Sequence, residues 1–233
     1  MRPSRAVGTV GAGALALWCA PAAAPVLPPL AALFDLPLRL PRGVALTFDD
    51  GPHAEGTPEV LGQLERAGVK ATFYLVGEQV ERRPALAAEI AAAGHEIGIH
   101  GYHHVLLLRR TPGGLRDDLD RAASVIGEAA GVQSLSYRPP YGVFSLPGLR
   151  LARERWSPLL WSHWGRDWEA RATPSSIAAL ATRGLGRGAV VLLHDSDAYS
   201  ARASWRQTVA ALPAVLEAAL ATGEPLVTAS QST

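Results

Sequence analysis

The chain has 233 residues, 48% hydrophobic and 18% charged, enough for one domain or one domain plus an appendage, with a core that needs no disulfide or metal staple. The charged share is low but still excludes a polytopic membrane protein, and a net charge of +1 leaves no electrostatic case for a nucleic-acid partner. The single cysteine, Cys19, excludes an intramolecular disulfide and a cysteine-based zinc site, so any chemistry falls to histidines, carboxylates and hydroxyls.

Arg2 and Arg5 precede an uncharged stretch from Ala6 to Phe34. Ala6 to Trp18 has the character of a signal-peptide apolar region, and Ala20, Ala22, Ala23 and Ala24 offer small residues for cleavage. Pro21, Pro25, Pro28 and Pro29 interrupt the run, which weakens the alternative of a continuous spanning helix. Residues 1–42 are therefore expected to be a signal peptide or membrane anchor plus a short linker, and 43–233 a single folded domain. A buried apolar arm is the remaining alternative.

From Gly43 onward, short β-rich runs alternate with segments of helical period. Strands are predicted at Val44–Phe48, Ala71–Val76, Glu96–Ile99, Leu135–Arg138, Leu159–Ser162, Ala189–His194 and Pro225–Thr228. Helices are predicted at Pro58–Ala67, Pro84–Ala93, Pro112–Ala130, Pro147–Arg155, Pro174–Gly184 and Trp205–Thr222. Thr57, Thr111 and Thr173, each followed by proline, read as N-caps. Gly68, Gly94, Gly131, Gly184 and Gly223 read as left-handed helix ends. A βαβα pattern implies a parallel α/β sheet, open or closed into a barrel, with functional groups at the C-terminal ends of its strands.

Polar residues do collect there. Asp49 and Asp50 end the first strand, where Gly51-Pro52 can turn both into one cavity; the plain alternative is ordinary turn chemistry. His100 and His104, four apart, share a face if helical and then suit a common metal, with His103 pointing elsewhere; the alternative is an exposed His-rich loop. With one aspartate they would form a three-ligand site with an open position. Arg138-Pro139-Pro140-Tyr141 is a stiff loop that projects an arginine able to pair with a carboxylate, or a surface turn. Trp161, Trp164 and Trp168 surround Asp167 and could stack on sugar or line an apolar pocket, although Trp161 reads first as core. His194 ends the most hydrophobic strand and is either a satisfied core residue or a proton donor beside a carboxylate such as Asp167.

Taken together, Thr47-Phe48-Asp49-Asp50-Gly51-Pro52, His100-x-x-x-His104, Arg138-Pro139-Pro140-Tyr141, Asp167-Trp168 and Leu192-x-His194 resemble the five ordered motifs of the polysaccharide deacetylases (carbohydrate esterase family 4, with the NodB homology domain). The resemblance runs from about Val44 to Thr228. It implies a distorted (β/α)7-type barrel of the NodB kind, and a hydrolase acting on carbon–nitrogen bonds of linear amides. The implied substrate is an N-acetylglucosamine-containing polysaccharide, peptidoglycan or chitin-like, cleaved through attack of a metal-bound water. By position, Asp50, His100 and His104 would hold a divalent metal, zinc before cobalt, nickel or manganese. Asp49 would be the base, His194 the acid, Arg138 the partner of Asp49 and Asp167 that of His194. Tyr141 would offer its backbone N–H to the oxyanion, while Pro140, Trp164, Trp168 and Leu192 would contact substrate. The implied protein is an extracytoplasmic monomer, secreted or membrane-associated through its N-terminal segment, with a glycan partner and no nucleic acid. A deacylase of a lipid-linked sugar or non-sugar amide, and a non-catalytic carbohydrate-binding relative, are the alternatives. Two positions depart from the family pattern. Gly101 stands where Ser or Thr usually braces the loop, and Trp164 stands where a further Asp is usual.

Overall fold

A computed structural model describes residues 18–230. Seven strands, β1 (Ala45–Asp49), β2 (Thr72–Leu75), β3 (Glu96–Ile99), β4 (Ser136–Tyr137), β5 (Ser157–Pro158), β6 (His163–Trp164) and β7 (Val190–His194), form one sheet in the order β5-β4-β3-β2-β1-β7-β6. Every pairing is parallel. Helices cover the sheet: α1 (Pro28–Leu33), α2 (Gly56–Ala67), α3 (Gly77–Arg82), α4 (Pro84–Ala92), α5 (Pro112–Ala130), α6 (Leu146–Arg153), α7 (Pro174–Ala181) and α8 (Ser204–Ala221). The sheet curls into a half-barrel, open between β5 and β6.

β1 and β2 are buried along their whole length, as parallel strands covered on both faces must be. That is why Ala45-Leu46-Thr47-Phe48 and Val190-Val191-Leu192-Leu193 read as continuous apolar runs rather than alternating ones. Register then sets the site. Asp49 lies opposite His194 on β7 and Tyr74 on β2, and Thr47 lies opposite Leu192. Ile99 pairs with Tyr137, which places Arg138 just beyond the same edge.

The strand count agrees with expectation, but two members differ. Leu159–Ser162 is not a strand. It is a buried link between β5 and β6 in which the Leu159 and Leu160 carbonyls accept from Arg138. Carbonyls turned to a guanidinium point away from a neighbouring strand. Pro225–Thr228 makes only an isolated bridge, Leu226 to Val44. Thr111 and Thr173 cap α5 and α7 through their hydroxyls, and Gly131 closes α5 in the left-handed conformation. Thr57 is not an N-cap. The helix begins at Gly56, and the Thr57 hydroxyl instead accepts from the His53 N–H and donates to Asp195. Two helices, α1 and α3, carry no predicted counterpart.

The apolar run Ala6 to Trp18 lies, except for its last residue, outside the described residues. From Trp18 the chain packs against the barrel. Pro21, Ala24, Ala31 and Leu36 are buried, Arg153 donates to the Asp35 carbonyl at 2.7 Å, and the Leu160 N–H donates to the Pro37 carbonyl at 3.0 Å. Among the described residues no helix is long and apolar enough to cross a membrane.

Candidate active site

A cavity of about 250 Å³ opens at the C-terminal ends of the strands. It is lined by Asp49, Asp50, His100, His104, Tyr141 and Gly142. Trp161, Trp164, Trp168, Leu192, His194, Tyr199 and Ser200 complete the lining. Most sequence-predicted site residues are thus brought to one space. Arg138 and Asp167 stand behind it, each bonded to a lining residue. Pro140 is buried in the turn behind the wall.

The cavity floor is built on Arg138, which is fully buried. Its Nη1 donates to Asp49 Oδ1 at 2.7 Å and to Thr47 Oγ1 at 2.8 Å. Nε and Nη2 donate to the Leu159 and Leu160 carbonyls at 3.0 and 2.9 Å. Its guanidinium lies 4.1 Å over the Tyr74 ring. A buried charge this fully bonded has one rotamer available. Asp49 Oδ1 is therefore committed, while Oδ2 faces His100 Nε2 at 3.8 Å.

Asp50 takes φ +76°, a left-handed conformation that turns its side chain to the same side as Asp49. Its Oδ1 lies 3.4 Å from His100 Nε2 and 3.3 Å from His104 Nε2, and it has no hydrogen-bond partner among the described residues although it is buried. Burial favours the neutral acid, but the imidazoles of His100, His104 and His194 outweigh it and hold this carboxyl well below the usual carboxylate range. Asp50, His100 and His104 each offer one donor atom, and those atoms lie within 4.8 Å of one another. A buried anionic oxygen without a proton donor, facing two imidazole nitrogens, is the donor set a divalent cation satisfies.

The His100/His104 pair does not sit on a helical turn. His100 follows β3, and 101–106 form a loop that reverses at Gly101, φ +88°. A Cβ at Gly101 would lie 3.0 Å from the His103 carbonyl and 3.4 Å from Asp118 Oδ2, so a side chain at this position would be strained in this backbone conformation and tightly packed. The brace comes from α5 instead. Asp118 accepts from the Tyr102 N–H at 2.9 Å and contacts His103 Nδ1 at 2.7 Å. His103 thus turns away from the ligand pair. The His100 Nδ1 contacts the Arg138 carbonyl at 2.8 Å, which aims Nε2 at Asp50.

Across the cavity, Asp167 accepts from the His194 backbone N–H at 2.7 Å, contacts His194 Nδ1 at 2.9 Å and accepts from Thr208 at 2.8 Å. Burial favours the neutral imidazole. Asp167, then Asp50 and Asp49, prevail and raise its pKa to about 10 in the metal-free protein. Nε2, the free nitrogen, faces the cavity 3.9 Å from Asp50 Oδ2. Trp168 meets the His194 ring edge-on at 5.5 Å, and Trp164 bridges Trp168 and Trp161 at 6.1 and 5.7 Å.

Three participants carry no sequence signal of their own. Thr208 lies in an ordinary helix position, and Asp118 sits mid-helix. Tyr199 comes from a loop that only folding places against His104.

Residues 39–154 match the family model for polysaccharide deacetylases. A peptidoglycan-N-acetylglucosamine deacetylase of Bacillus cereus is 33% identical over 191 residues, covering 81% of this chain and 86% of that protein. A second from the same organism is 36% identical over 157 residues, 66% of this chain. The chain spans 56% of the length of that relative and 32% of the length of a related Listeria monocytogenes protein. A solved peptidoglycan N-acetylglucosamine deacetylase in complex with 4-naphthalen-1-yl-N-oxidanyl-benzamide superposes with a TM-score of 0.75 at 30% identity, covering 82% of this chain and 87% of that one. The cavity, its Asp-His-His cluster and its parallel half-barrel thus occur in a chain that belongs to the polysaccharide deacetylase family.

Proposed function

We propose that this protein hydrolyses N-acetyl groups from an N-acetylglucosamine-containing polysaccharide, peptidoglycan before chitin-like chains. The observation that carries the reading is the placement of Asp49 and His194 in register on adjacent strands, on either side of the Asp50-His100-His104 cluster. Those three residues would hold a divalent cation, zinc first, which polarises a carbonyl and acidifies water.

Asp49, with Oδ1 tied to Arg138, takes the proton of the attacking water on Oδ2. Arg138 keeps that carboxylate oriented without entering the cavity. His194, held protonated by Asp167, delivers a proton from Nε2 to the leaving nitrogen, so the amine departs neutral. The backbone N–H of Tyr141 serves the developing oxyanion. Leu192 and Trp168 receive the acetyl methyl, Trp164 offers a face to the sugar, and Pro140 shapes the turn beneath Tyr141. A near-neutral protein with an aromatic cavity suits an uncharged glycan gripped by ring faces.

The same reading places the protein outside the cytoplasm as a monomer, with residues 1–42 as export leader or anchor plus linker and 43–233 as the catalytic domain. The basic, then apolar, start of the chain supports it.

Acetate release is to be measured over peptidoglycan, chitooligosaccharides and acetyl-xylan. Chelation is expected to abolish it on the first two and zinc or cobalt to restore it. Full activity in chelated protein would overturn the mechanism.

A further inference from the structure

The two ligating imidazoles are secured differently. His100 has its second nitrogen bonded to the Arg138 carbonyl. The Nδ1 of His104 is buried and has no partner among the described residues. A metal-bound histidine normally has its other nitrogen bonded, which fixes ring orientation. His104 is instead enclosed by rings. Tyr199 stacks on it at 4.2 Å and 10°, and Tyr141 meets it at 4.5 Å and 64°.

Tyr199 is itself anchored. Its hydroxyl donates to Glu78 Oε1 at 2.7 Å and accepts from Gln79 Nε2 at 3.0 Å. Gln79 is buried and accepts in turn from Arg83 at 3.0 Å. Glu78 and Gln79 belong to α3, whose first N–H groups donate to the Gly101 and Tyr102 carbonyls. One short helix therefore holds both the loop that carries His104 and the ring that lies flat on it.

We propose that Tyr199 is the positioning residue of His104, its stacked ring replacing the hydrogen bond that the Nδ1 lacks. Rotation of the imidazole about Cβ–Cγ would drive its edge into the phenol face, so the ring fixes the direction of Nε2 by exclusion. A face-on electron-rich ring also favours an imidazole drained of charge by a cation. The proposal rests on the metal reading of Asp50, His100 and His104.

The test is zinc affinity of the metal-free protein by competition titration, together with the absorption bands of the cobalt form. Tyr199→Leu, which removes the ring, is expected to weaken zinc binding about tenfold and to alter the cobalt bands. Tyr199→Gln removes the ring but keeps a polar partner for Glu78 and Gln79; it should do the same, and stands in if the Leu variant melts early. Tyr199→Phe keeps the ring and should stay within about twofold of wild type, a small loss by the standard of an outer-shell partner. Wild-type zinc affinity and cobalt bands in both ringless variants would overturn the proposal while leaving the metal reading intact. A wild-type protein that binds no zinc would overturn that reading, and this proposal with it.

Discussion

On the β1–β4 side of the cavity, polar groups other than His104 are held by other polar groups; on the β6–β7 side, rings mostly hold rings. Arg138 bonds to four acceptors, Asp49, Thr47 and two carbonyls, and its own carbonyl orients His100. Asp49, His100 and Arg138 are all at most 2% exposed. Opposite, His194 and Asp167 form a comparable bonded pair, and beside them Trp164 contacts both Trp161 and Trp168. Hydrogen bonds between buried charges are directional and unforgiving, whereas ring contacts tolerate substitution at constant volume. The first side is thus held by directional bonds, and the second depends less on exact directions.

If the comparison is right, damage should grade accordingly. Asp49→Asn, on the rigid side, is expected to lower kcat about 10³-fold while the protein still takes up one zinc, as measured by metal analysis. An active variant would remove Asp49 as the base. Arg138→Met leaves the Asp49 carboxylate buried and unpaired, and should cost about 3–5 kcal/mol in denaturant unfolding; a variant as stable as wild type would deny Arg138 its bracing part.

Asp167→Asn tests the one bonded pair on the other side, with an expected fall in kcat of about 10²-fold. It also has a signed pH consequence. With Asp167 no longer favouring the charged imidazole, the His194 pKa drops, so the alkaline limb of kcat moves to lower pH; an unmoved limb would disconnect the two residues. In metal-free protein, His194 is raised from 6.5 to about 10, so its contribution to stability is complete below 6.5 and is lost as pH rises through about 10. Thermal melts of the chelated protein should therefore fall over that window, and less so in the Asn variant. Trp164→Ala should have the smallest effect. KM for an acetylated oligomer is expected to rise about tenfold with kcat nearly unchanged, the loss of one stacking face. A kcat defect instead would place Trp164 in the chemistry.

How much was legible follows the same division. The Asp49-Asp50 pair, His100, His104, Arg138 and His194 stand out because they interrupt apolar strands at the ends where parallel sheets collect function. The helical reading of the histidine pair failed because spacing alone cannot reveal the left-handed turn at Gly101 or the Asp118 brace from another helix. Leu159–Ser162 read as a strand because its residues are apolar, yet its carbonyls were needed by Arg138. Thr57 read as a cap because Pro58 follows it, yet its hydroxyl was taken by Asp195.

The sequence by itself determined the parallel α/β class, five of the seven strands and the residues that could carry chemistry, since apolar runs and helix punctuation are local. Tertiary structure decided which hydroxyls, carbonyls and rings serve those residues. Thr47, Thr208, Asp118 and Tyr199 gain their partners across 16 to 144 positions, by contacts that exist only once the strands are in register.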